Sequence, residues 1–302
     1  MSRESETRRT GEKQPRRRRE KAPTEPCRRC GGLGYRTFPS DDLAAAAVCE
    51  CISACALCNG EGHTTERDDG GYLWVRPCKC ASVQQRVSRF NAVHLPARYA
   101  DKNIEGYRHL GGNQNEIKYL LLNYRKNYAP GQRGMLLMGD PGTGKTHLLT
   151  ALLAYLSLEL GLSCRYIDFM SLLSKIKEGY NQGKSEAAII GPLLGFQVLA
   201  VDELGKGRST DWEVAVLDDL ISRRYNTNST TFFATNFGDD PTQLAGESGA
   251  SYYQPRQATV QVTLEDRVGP RIYSRLHDMC DFHVVRGPDY RRRDLARTRK
   301  SR

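Results

Sequence analysis

Gly139-Asp140-Pro141-Gly142-Thr143-Gly144-Lys145-Thr146 is the stretch that decides the fold. It satisfies the spacing G-x-x-x-x-G-K-[ST], a phosphate-binding loop. Its glycines let backbone N–H groups turn inward around phosphate oxygens, and a helix N-terminus behind them adds positive potential. Met135, Leu136, Leu137 and Met138 precede it, as a buried strand requires. Leu148, Leu149, Ala151, Leu152, Leu153, Tyr155 and Leu156 follow, as a helix requires. Strand, loop and helix together form the context in which this spacing binds a nucleoside triphosphate. Lys145 is expected to reach the β- and γ-phosphates of ATP, and Thr146 to hold Mg²⁺.

Towards the C-terminus, Phe196-Gln197-Val198-Leu199-Ala200-Val201-Asp202-Glu203 is an apolar run ending in two acids, about 60 residues after the loop. This is a Walker B pattern. Asp202, at the strand's carboxyl end, is placed to orient the Mg²⁺ hydration shell beside Thr146, and Glu203 to polarise the water attacking the γ-phosphate. Between loop and acids, 164–167 reads as a short strand, and Asp168 as the cap of a helix carrying Leu172, Leu173 and Ile176. Residues 211–228 read as a helix capped by Asp211, and 230–234 as another strand ending in Thr235-Asn236. Asn236 at that edge can hold the attacking water. The polar stretch 238–260 is expected to be a mobile loop. Residues 264–276 read as one helix with Arg267, Arg271 and Arg275 at i, i+4 and i+8, hence on one face. A final strand is expected at 281–285. Cys164 and Cys280, each alone among apolar residues, read as core.

Towards the N-terminus, 113–128 reads as an amphipathic helix through Ile117, Leu120, Leu121 and Tyr124, and 82–112 as a linker into the ATPase domain at 113–290. Residues 26–81 hold eight of the ten cysteines in two repeated units. One reads Cys27-x-x-Cys30-Gly-Gly-Leu-Gly and then Cys49-x-Cys51. The other reads Cys55-x-x-Cys58-Asn-Gly-Glu-Gly and then Cys78-x-Cys80. Paired cysteines at such spacing point to Zn²⁺ in preference to disulfides, and eight thiolates make two closed Cys₄ sites. The spacing leaves the pairing open. Each unit can bind its own ion, or Cys27, Cys30, Cys78 and Cys80 can share one while the inner four share the other. His63 reads as a loop residue, because four cysteines already complete a tetrahedral site.

The formal charge of +10 sits in the tails. Residues 1–25 carry nine Lys/Arg against five Glu, and 286–302 carry eight against two Asp. Residues 1–25 are expected to be a disordered basic tail, and 291–302 a basic C-terminal tail. Such tails either contact nucleic-acid phosphates or remain solvated, and charge alone does not decide between the two. No apolar run approaches the ~18 residues of a membrane span, and the charged start lacks a secretory h-region, so a cytoplasmic location without membrane partners is expected.

Together these motifs resemble the DnaC/IstB-like branch of the AAA+ ATPases, which includes bacterial helicase loaders and transposition ATPases. The likeness rests on 139–146, 198–205, 221–236 and Asp289-Tyr290-Arg291. Its more specific strings are Leu-Ile-Ser-Arg-Arg-Tyr-Asn (220–226) and Arg-Val-Gly-Pro-Arg-Ile-Tyr-Ser-Arg-Leu (267–276). The resemblance implies an α/β three-layer sandwich with a parallel sheet and no separate lid, here preceded by a small zinc-binding domain. It also implies an ATP-dependent homo-oligomer. Asn236 would be the sensor 1 position, Arg271 the arginine finger entering a neighbouring subunit's site, with Arg275 as the alternative, and Arg291 the sensor 2 position. The implied partners are single-stranded DNA, contacted from 169–190, and a replicative helicase or a transposase docked on the zinc domain. Each C-x-x-C-x-G-x-G element resembles the zinc module of DnaJ chaperones, but the C-x-C halves depart from it. A zinc-dependent adaptor is therefore kept as an alternative, without the chaperone role.

Overall fold

Five short apolar runs build the centre of the molecule. In the computed structural model, which describes residues 27–53, 55, 57, 58, 61, 63–67, 70–239 and 262–291, they are β5 (Gly134–Met138), β6 (Cys164–Asp168), β7 (Val198–Asp202), β8 (Thr231–Thr235) and β9 (Cys280–Val284). The tail at 1–25, most of the loop expected at 238–260 and the tail from Arg292 onward lie outside the described residues. The sheet order is β6-β7-β8-β5-β9, with every pairing parallel. Parallel strands need crossover helices, which cover both faces, so β5, β7 and β8 are buried at every position.

Alternation sorts the side chains into two cores. Met135 and Leu137 face one side with Cys164, Tyr166, Val198, Ala200, Phe232 and Ala234. There they meet α2 (Lys79–Asn91), α3 (Gln114–Lys126) and α4 (Lys145–Leu158). Leu136 and Met138 face the other side with Leu199, Val201, Phe233 and Cys280. That side is covered by α5 (Phe169–Asn181), α6 (Glu186–Leu194), α7 (Asp211–Asn226), α8 (Leu264–Val268) and α9 (Pro270–Met279). The result is the three-layer sandwich with a parallel sheet.

Each cysteine unit folds as a hairpin between its cysteine pairs. Unit one contains β1 (Tyr35–Ser40) and β2 (Leu43–Val48), and α1 (Glu50–Ser53) leads to unit two with β3 (His63–Arg67) and β4 (Leu73–Pro77).

Three local readings change. The stretch 82–112 is not a linker but part of the body. Val83, Val87 and Phe90 of α2 are buried, as are Val93, Leu95, Ile104 and Tyr107, with a short 3-10 turn (Ala97–Tyr99) between them. The helix expected at 264–276 is broken. Gly269 adopts φ 84 and ψ 155, outside the helical region, and Pro270 restarts the chain as the first residue of α9. The three arginines therefore do not share one helix face. Finally, α7 is capped by Thr210, not Asp211. The Thr210 side chain accepts from Glu213 N–H while the Glu213 carboxylate takes the Thr210 N–H, a reciprocal capping box. Asp168 caps α5 as expected, accepting from Ser171 N–H.

Candidate functional site

The phosphate-binding loop runs from the carboxyl end of β5 into α4, and three of its residues need glycine. Gly139, Gly142 and Gly144 have φ of 140, 85 and 97, which L side chains rarely adopt. Lys145, the first residue of α4, is 7% exposed. Its Nζ donates to the carbonyls of Gly139 (2.6 Å) and Asp140 (2.9 Å). Burial pulls its pKa down to about 8, against the attraction of Asp202 and Asp140. From outside the loop, the Tyr107 hydroxyl donates to Thr143 O (2.7 Å), Gln114 Nε2 donates to the same oxygen (3.2 Å), and Tyr290 N–H donates to Gly142 O (3.1 Å).

Asp202 ends β7 and is 4% exposed. Its Oδ2 accepts from Tyr166 OH (2.9 Å) and its Oδ1 from Glu203 N–H (2.8 Å). Burial pushes its carboxyl pKa up, while hydrogen bonds from Thr146 and Tyr166 oppose the shift. Thr146 and Asp202, 56 positions apart in the sequence, thus touch. A hydroxyl and a carboxylate side by side are the hard oxygen donors that Mg²⁺ accepts, so the residues fit that ion. Glu203 follows in a left-handed conformation (φ 56) and pairs with Lys206. A non-glycine residue held there costs on the order of 1–3 kcal/mol, a kind of strain that clusters at functional sites. Asn236 is exposed just past β8, and β8 lies between β7 and β5. It therefore stands between the acids and the loop.

The arginines take separate tasks. Arg267 donates to Gly205 O (2.8 Å) and Gly207 O, and lies 4.9 Å over the Phe237 ring, bracing the loop after Glu203. Arg275 donates to Asp218 Oδ1 (2.7 Å) and to Ser222 on α7. The Arg271 side chain is 72% exposed and, among the described residues, pairs with Asp218 at 3.7 Å. Arg291 is exposed, and its charge acts on Lys145.

The cysteines settle into two sets, Cys27, Cys30, Cys49 and Cys51, and Cys55, Cys58, Cys78 and Cys80, so each unit gathers its own four. Within each set the sulfurs all lie within 4.8 Å of one another. The Sγ–Sγ separations of 3.9 and 3.5 Å in the first set and 3.7 and 3.2 Å in the second bracket the ~3.8 Å edge of a tetrahedron with Zn–S near 2.3 Å. Both sets could hold zinc. Burial works against the Cys30 thiolate, but Gly34 N–H (3.3 Å) and the Cys51 thiol outweigh it and bring the pKa down to about 7. A ready thiolate is what a metal ligand requires. His63 belongs to neither set and faces Glu61 O at 3.1 Å.

The units are bolted to the nucleotide-binding layer. Glu159 is the C-cap of α4, where a carboxylate opposes the helix dipole and needs partners. It finds the Tyr35 hydroxyl from β1 and Arg86 Nη1 from α2 (3.6 Å). Cys78 is the N-cap of α2 and Cys80 lies in its first turn, so α2 runs from the second cysteine set straight onto α4.

Sequence reasoning missed Tyr107, Gln114, Tyr166 and Arg224. Arg224, 1% exposed, donates to Thr231 Oγ1 (3.0 Å), Phe196 O (2.7 Å) and Thr230 O (2.7 Å), locking α7 to the strands. Its type and position carried no signal of this. Among the described residues, no helix is long and apolar enough to cross a membrane.

Comparison with known proteins agrees with this geometry. The family model described as IstB-like ATP binding protein matches residues 84–239. The replicative helicase loader DnaC of Escherichia coli (strain K12) is 26% identical over 160 residues, covering 52% of this chain and 65% of DnaC. YqaM of Bacillus subtilis (strain 168) is 23% identical over 224 residues, covering 70% of this chain and 63% of YqaM. The chain thus spans slightly less than two thirds of the length of either relative. A crystal structure of the DnaC helicase loader is similar with a TM-score of 0.51 at 26% identity, covering 63% of this chain and 99% of that one.

Proposed function

We propose a function for a chain that belongs to the family of IstB-like ATP binding proteins: it is an ATPase that loads a replicative helicase onto single-stranded DNA. The observation that supports this most is the likeness to the helicase loader DnaC, in a chain whose loop, Thr146 and Asp202 converge on one site. On this reading Lys145 leaves the carbonyls of Gly139 and Asp140 and turns its charge to the β- and γ-phosphates of ATP. Thr146 and Asp202 would hold Mg²⁺, which neutralises phosphate charge. Glu203 takes a proton from the attacking water, and Asn236 orients that water. Arg291 faces the phosphates within the same subunit, and Arg271 enters the site of the next subunit in an ATP-dependent homo-oligomer. The exposure of Arg271, against the internal pairing of Arg267 and Arg275, supports the choice among the three. The two zinc-bearing units dock the helicase, and the segment 169–190 contacts the DNA.

Pull-down by the intact chain with ATP and single-stranded DNA, followed by identification of the bound protein, tests the proposal. A hexameric helicase is expected. A transposase would move the chain to DNA transposition, and client refolding without any response to DNA would make it an adaptor.

A further inference from the structure

The phosphate-binding loop is held from behind by two residues outside every motif. We infer that Tyr107 and Gln114 are positioning residues of that loop, setting the direction of the peptide between Thr143 and Gly144. The inference rests on the reading that this loop takes nucleotide phosphates.

The geometry is that of one peptide plane. Thr143 O accepts from Tyr107 OH at 2.7 Å and from Gln114 Nε2 at 3.2 Å. In a trans peptide the carbonyl and the following N–H point in opposite directions, and no described peptide is cis. Two donors holding the Thr143 carbonyl outward therefore aim the Gly144 N–H inward, where a phosphate oxygen is cradled. Gly144 itself fits only as glycine. Its φ is 97, and a Cβ there would stand 2.6 Å from Tyr107 Cε2. Ring and loop are in direct contact.

Both donors are fixed in turn. Gln114 is 0% exposed and Tyr107 is 2% exposed. Gln114 Oε1 accepts from Leu110 N–H at 2.7 Å, which settles which end of the amide faces Thr143. Neighbouring Asn113 bonds Val284 O and Arg286 N–H, both at 2.7 Å. The start of α3 is thereby anchored to the strand beside the loop. A catalytic loop that is ordered before its ligand arrives loses less entropy on binding. The rival view is that the two polar groups are merely satisfied for folding.

The test uses the full chain and N-methylanthraniloyl-ADP, read by fluorescence anisotropy, with melting temperature followed in parallel. Tyr107→Phe keeps the ring and deletes one donor. Gln114→Met keeps the length and deletes the other. One hydrogen bond's net worth predicts an ADP Kd raised about five-fold for each and about twenty-fold or more for both. Ile117→Val, a packing change on the same helix, is expected to lower the melting temperature and leave the Kd in place. Unchanged ADP affinity in Tyr107→Phe and in Gln114→Met overturns the inference, as does an equal loss in Ile117→Val. Failure of the unsubstituted chain to bind ADP would overturn the nucleotide reading itself, and is told apart by that control.

Discussion

Replacing Cys58, 7% exposed within the second cysteine set, by Ser should destabilise the nucleotide-binding body as well as the hairpin beside it. The substitution removes one of four thiolates, so a zinc ion held by that set would be released. Cys78 then no longer pins the N-cap of α2, nor Cys80 its first turn. If only that turn frays, Val83 is exposed, at a cost of about 2 kcal/mol. If the helix lifts off α4, Val87 and Phe90 follow and the packing loss rises to about 6 kcal/mol. Domains are stable by roughly 5–15 kcal/mol, so either figure is visible. At about 2–4 °C per kcal/mol for a body of this size, the melting temperature falls by roughly 4–8 °C in the first case and 12–24 °C in the second. Differential scanning calorimetry with and without a zinc chelator reads this directly. Chelation should lower the melting temperature of the unsubstituted chain at least as far as Cys58→Ser does, because it empties both cysteine sets. A main transition that stays in place while a small separate one disappears would show that the cysteine units are independent of α4, and would refute the reasoning.

Glu203→Gln should leave ATP affinity within about two-fold while turnover falls by roughly 10²–10⁴, as expected on losing a general base; binding and single-turnover assays check both. Arg271→Ala should lower turnover of the assembled state by about 10³ at unchanged melting temperature, whereas Arg275→Ala should lower melting temperature through its bonds to Asp218 and Ser222. Because the buried Lys145 has a pKa of about 8, below its ordinary 10.5, it binds fewer protons in the folded chain than in the unfolded one between those values. Stability should therefore rise with pH across that window, and phosphate binding should restore the proton. Calorimetric titration with ATP at pH 8, in buffers of different ionisation enthalpy, should show Lys145 contributing uptake of about half a proton. Arg224→Met should cost about 3–5 kcal/mol in urea denaturation, because Phe196 O and Thr230 O lose their buried donors.

What the sequence made legible was local in the chain. The loop at 139–146 and the acids at 202–203 are contiguous, and each carries its own strand in the residues before it. The cysteines were legible as eight ligands of two sites, but not as to which four share each, because sharing depends on how the hairpins fold back. The error at 264–276 had a visible cause. Spacing of i, i+4 and i+8 was counted through Gly269-Pro270, the pair that interrupts it. Residues 82–112 read as a linker although Val83, Val87 and Phe90 stand at i, i+4 and i+7, a helical spacing that puts them on one buried face. Gln114, Tyr166 and Arg224 were out of reach for another reason. A buried polar residue acts through its partners, and theirs lie 29, 36 and up to 28 positions away.

The start of α3 grips the chain where it leaves β9, through Asn113 on Val284 and Arg286, and a few residues on Tyr290 grips the phosphate loop through Gly142. Load applied beyond Arg291 therefore has a short, stiff route to the place where nucleotide would sit. An affinity tag fused at that end, or a surface to which it is tethered, becomes a lever on the loop. Force spectroscopy pulled from the carboxyl terminus should register ADP as a change in the first rupture, while the same pull from the amino terminus meets the cysteine hairpins first.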